Sequence, residues 1–144
     1  MGDLAARQEA LVAALTSGAP IPDGFDERLV GVARKALLRK RAGDVARHWP
    51  VLAFTLGDRW VPEFADWAAG RPTSGSLRDG WDFARQCGPL GAAAADELAR
   101  REAAWVYDGA KPPRPRRLPA LRRTPESVIV QLGGRTFTRR RGGY

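Results

Sequence analysis

The chain has 144 residues, 44% apolar and 28% charged, with five tryptophans and five phenylalanines, which suffices for one domain with a hydrophobic core and is too aromatic for a disordered chain. The formal charge of +8 raises nucleic acid as a partner, yet residues 1–108 hold 14 Lys+Arg against 15 Asp+Glu and residues 109–144 hold 10 against one. A near-neutral body with a basic tail follows from that split. The single cysteine, Cys87, excludes an internal disulfide, and no apolar run reaches the length of a membrane span or signal peptide. A cytoplasmic location and no membrane contact are therefore expected.

In chain order, residues 3–17 place Leu4, Leu11, Val12 and Leu15 at helical spacing, with Asp3 as N-cap and Gly18 past the end. Asp26 caps a second helix, on which Leu29, Ala33, Ala36 and Leu37 read as the inward stripe, flanked by Arg34, Lys35, Arg39, Lys40 and Arg41. Gly43 weakens this helix and predicts a bend before Trp49, after which Pro50 opens a short helix ending at Gly57. Asp58 caps the next, with Trp60, Phe64 and Trp67 on one face; Ser76 caps a helix carrying Trp81 and Phe83; a last helix runs from about Ala92 to Tyr107. Residues 109–126, rich in Pro and Arg, read as an extended linker. The apolar run Ser127–Leu132, the Gly133-Gly134 turn and the alternating Arg135–Arg139 then predict a β-hairpin, so residues 127–144 form a hairpin and basic tail. The expected fold is mainly α: a bundle of five to six short helices over residues 1–108, the linker, and the hairpin.

No catalytic constellation is present: His48 has no second His or Cys to share a metal, there is no phosphate-cradling Gly loop, and Asp79 and Asp82 read as a solvated acidic pair. Neither catalytic residues nor cofactor nor metal is expected. The tail, by contrast, puts arginines beside an apolar strand, a combination suited to interaction: Val128, Ile129, Val130, Gln131 and Leu132 offer backbone groups for an added strand, and Arg135, Phe137, Arg139 and Arg140 offer charge and contact. The basic helix, through Arg34, Lys35, Arg39 and Arg41, is a candidate docking surface.

The segments Arg47-His48-Trp49-Pro50-Val51-Leu52, Leu56-Gly57-Asp58-Arg59-Trp60 and Phe64-Ala65, followed by Arg71-Pro72-Thr73-Ser74-Gly75-Ser76-Leu77, Trp81-Asp82-Phe83 and Leu98-Ala99-Arg100-Arg101-Glu102-Ala103-Ala104-Trp105, resemble a bacterial family of the HvfC/BufC type, once labelled a DNA-binding domain. A Tyr-Arg-Asn-Asn-type motif of that family is replaced here by Ala33-Arg34-Lys35-Ala36. Its members are partner proteins of multinuclear non-heme iron-dependent oxidative enzymes (MNIO) that modify ribosomally made precursor peptides, and a similar domain is fused to the C-terminus of actinobacterial enzymes of this kind. The resemblance implies a non-catalytic partner that docks on the iron enzyme through its helical body and captures the leader of a precursor peptide. The alternative is a nucleic-acid-binding regulator that uses the basic helix and tail.

Overall fold

A computed structural model describes residues 2–142. Six α-helices come first: α1 (Gly2–Thr16), α2 (Glu27–His48), α3 (Pro50–Leu56), α4 (Trp60–Ala68), α5 (Ser76–Gln86) and α6 (Ala92–Ala104). The Asp26 carboxylate accepts the N–H groups of Arg28 (2.8 Å) and Leu29 (3.2 Å), satisfying two donors that the first turn of α2 leaves open. Gly43 does not interrupt α2, which runs unbroken to His48, and α4 starts not at Asp58 but after a 3-10 turn over Gly57–Arg59. At α3 the cap comes from far away in sequence: Glu97 of α6 accepts the Leu52 N–H at 2.7 Å.

The core is aromatic. Trp49 is completely buried, meets Trp81 edge-on at 5.8 Å and donates its indole N–H to the Leu77 carbonyl at 2.9 Å. A glycine must face it: a Cβ on Gly80 would sit 2.2 Å from Trp49 Cδ1. Trp60, Phe64 and Phe83 close the other side of the cluster, with centroids 5.2–5.5 Å apart, and both Trp60 and Phe64 are buried as the helical spacing requires.

The inward face of α2 is displaced from the expected one. Val30, Ala42 and Val45 are buried, whereas Leu29, Ala36 and Leu37 are exposed. The face is shared with two arginines. Arg34 donates to the carbonyls of Ala14 (2.5 Å) and Ala19 (2.7 Å), which terminates α1, and Arg41 pairs with the buried Asp79 at 2.8 Å and reaches the Arg71 carbonyl at 2.7 Å.

Beyond α6, β1 (Trp105–Val106) pairs with β2 (Arg114–Pro115), and β3 (Ala120–Arg123), β4 (Ser127–Leu132) and β5 (Arg135–Arg140) form an antiparallel sheet in the order β3-β4-β5. The expected hairpin is present as β4-β5, closed by Gly133 and Gly134 at φ +54° and +79°, the left-handed values that a two-residue turn demands. The stretch read as linker does more than connect, since it supplies both β2 and β3. Ala120–Arg123 escapes detection because it is four residues long and lies between Pro119 and Pro125.

Candidate functional site

The C-terminal sheet is held on α6 by its inner face. Alternation along β4 turns Ser127, Ile129 and Gln131 inward, where all three are buried, and Ile129 packs against Ala99 and Ala103 of α6. A carboxylate fixes this seat: Asp96 of α6 accepts the hydroxyls of Thr124 (2.5 Å) and Ser127 (2.7 Å), both at the β3-β4 turn and both buried. Gln131 donates to the Arg116 carbonyl (3.3 Å), and the Arg116 N–H donates to that of Ala104 (2.8 Å), so the segment leading into β3 is tied to the end of α6.

The outer face has no such cover. The register sets Leu121, Val130 and Phe137 side by side across the three strands, with Arg123, Val128 and Arg139 in the next row and Leu132 beside Arg135 at the turn. Phe137, Leu132 and Leu121 are 57%, 56% and 48% exposed. An apolar centre flanked by arginines therefore faces outward on the sheet.

The edge is also open. A two-residue turn makes Leu132 and Arg135 a hydrogen-bonded pair, so bonding to β4 alternates along β5 through Phe137 and Arg139. The Arg141 N–H donates to the Glu126 carbonyl at 2.7 Å, the next pair in the same phase. Thr136, Thr138 and Arg140 consequently direct their N–H and C=O groups away from β4, and among the described residues β5 has no second strand to receive them. Every residue of β5 is exposed.

The sequence-derived peptide residues thus separate into groups. Val128, Val130, Leu132, Arg135, Phe137 and Arg139 share the outer face. Ile129 and Gln131 are buried against α6, and Arg140 lies opposite Ser127 on the inner side of β5. The expectation that Val128–Leu132 itself receives an added strand is corrected: β4 is central and bonded on both sides, and the edges of the sheet are β3 and β5. Of the docking residues, Lys35 and Arg39 are exposed, whereas Arg34 and Arg41 hold α1, Asp79 and the Arg71 carbonyl and are not free to meet a partner.

Elsewhere, Arg101 lies 4.3 Å over the Trp49 ring and donates to the His48 carbonyl, so the region around the lone histidine is a helix-end contact. Cys87 is half-buried at the end of α5, on the wall of a groove of about 480 Å3 that Leu52, Leu56, Trp67 and Phe83 also line, and burial pushes its thiol up, away from the reactive thiolate. Among the described residues no group of three or more His, Cys, Asp or Glu could hold a metal, and no helix is long and apolar enough to cross a membrane.

These features define a mainly helical domain with a C-terminal sheet whose inner face is covered by α6 and whose outer face is open. The family described as SCO6045-like, C-terminal domain, matches residues 5–89, and the chain belongs to that family. It is also 40% identical over 120 residues to a UPF0276 protein of Streptomyces avermitilis, an overlap that covers 83% of this chain and 25% of the relative. The chain thus spans about a quarter of the length of that curated relative. No solved structure matches it.

Proposed function

We propose that this domain is a non-catalytic accessory module that captures an extended acidic peptide on β5 and presents it to a larger protein on which its helical body docks. The observation that carries the reading is the open edge and uncovered arginine-flanked face of the β3-β4-β5 sheet. Edge addition supplies main-chain hydrogen bonds, and the arginines supply attraction for carboxylates. The family description as a C-terminal domain, and a relative about four times as long as the matching region, support a helical body that works beside a larger partner. This agrees with the HvfC/BufC-type role: partner protein of a multinuclear iron-dependent oxidative enzyme in ribosomal peptide biosynthesis, with a leader peptide as the captured chain.

Thr138→Pro tests it. Thr138 points its N–H outward, so proline there removes a donor from the open edge and none from the ladder to β4. Circular dichroism and the melting temperature should stay close to wild type, and affinity for an acidic β-forming peptide should fall by about tenfold or more by calorimetry. In a reconstitution with an iron-dependent oxidative enzyme of this kind and its precursor peptide, mass spectrometry should find modified precursor with the wild-type domain and little with Thr138→Pro. Full modification in the absence of the domain would overturn the reading.

A further inference from the structure

We infer that the sheet reads its peptide in a fixed phase: carboxylates at positions i and i+4 and an apolar residue at i+2, laid antiparallel along β5. The inference rests on the strand-addition reading above and specifies which side chains such a strand must carry. Because Thr136, Thr138 and Arg140 direct their backbone groups outward, they form the hydrogen-bonded pairs with an incoming strand, and Arg135, Phe137 and Arg139 fall at the alternate, non-hydrogen-bonded positions. In an antiparallel pair those positions bring side chains closest together. All three lie on the outer face, two residues apart, in the order cation, aromatic, cation. An incoming strand that alternates acid, small polar, apolar, small polar, acid therefore meets Arg139, Thr138, Phe137, Thr136 and Arg135 in turn. Its apolar residue would extend the Leu121–Val130–Phe137 row by one strand.

The same charges argue against the most obvious competitor, a second copy of this chain. Antiparallel pairing of two β5 strands centred on Phe137 sets Arg135 opposite Arg139 of the other copy, and centring on Thr138 sets it opposite Arg141. Like charges directly opposite one another destabilise a ladder. The occupant this edge fits is an acidic strand.

Two synthetic heptapeptides of one composition test the phase: Ser-Glu-Thr-Val-Thr-Glu-Ser, which keeps both acids and the valine on one face, and Ser-Glu-Val-Thr-Glu-Thr-Ser, which puts the acids on opposite faces. Titrated into the full chain at low salt, the first should bind about tenfold more tightly, with shifts centred on the Thr136, Thr138 and Arg140 amides in nuclear magnetic resonance spectra. Arg139→Glu, an exposed change whose fold is checked by circular dichroism, should invert the preference in favour of a peptide with Lys in place of its first Glu. Equal affinities, both lost in Thr138→Pro, would overturn the phase and leave strand addition standing. Failure of both peptides to bind, or undiminished binding to Thr138→Pro, would overturn strand addition itself. Tighter binding of an oligothymidylate than of either peptide would assign the face to nucleic acid and overturn both.

Discussion

Asp96→Ala should lower the stability of the sheet by about 1–3 kcal/mol, because it strands the buried Ser127 hydroxyl and leaves that of Thr124 only the Ser127 carbonyl at 3.4 Å, and a group left unsatisfied in a protein interior costs about that much. The carboxylate accepts from Thr124 and Ser127, the residues that flank the β3-β4 turn, so its loss is felt at the joint between α6 and the sheet and not in the aromatic cluster. Hydrogen exchange should quicken at the Ile129 and Gln131 amides, which bond to β3, while the helical signal in circular dichroism persists. Peptide affinity should fall with it, although Asp96 lies on the covered side of the sheet. Asp96→Asn should retain part of the seat, since the amide oxygen still accepts from one hydroxyl and its NH2 can donate to the other. Unchanged exchange in Asp96→Ala would show that Ile129 packing alone holds the sheet.

Trp49→Ala should cost about 3–5 kcal/mol, the range for removing a fully buried tryptophan. The ring contacts Trp81, supports Arg101 and satisfies the Leu77 carbonyl, and its truncation loosens α2, α5 and α6 together. Denaturant titration should show a lower midpoint. Gly80→Ala should be destabilising alone, since its methyl would enter the space of the indole. In the double variant the methyl projects into the vacated volume, so the combined loss should be smaller than the sum of the two single losses.

Most of the helical body is legible in the sequence because its signals are local: Asp26 before α2, Pro50 opening α3, and the Trp60–Phe64 spacing all act within a turn or two. The inward face of α2 is not, because Arg34 and Arg41 occupy it. Their partners are the Ala14 and Ala19 carbonyls and Asp79, up to 38 residues away, and a hydropathy stripe assigns any arginine to solvent. The last helix presents the converse case. Trp105 counts as a helix position by spacing but lies just past the end of α6, half-exposed in β1, whereas Tyr107 is buried and donates to the Asp82 carboxylate at 2.9 Å. In the candidate site the alternation of β4 and β5 is visible in the residues, and the phase of their bonding follows from Gly133-Gly134. What cannot be read locally is that β4 has a second neighbour: a four-residue strand between prolines gains its stability from the strand and helix it packs on. That one neighbour covers β4, so no added strand can pair with it.

The junction at α6 has a consequence for how such modules diversify. One side of this helix serves the aromatic core through Ala94, and another serves the sheet through Asp96, Ala99 and Ala103. The matched family region ends at residue 89, before α6 begins. A different C-terminal sheet needs from this helix only a small-residue track and one acceptor for its turn hydroxyls. The sheet is therefore transplantable: the side chains of its outer face can be rewritten, or the whole sheet exchanged, while the Trp49 cluster and the helical face beside it stay as they are.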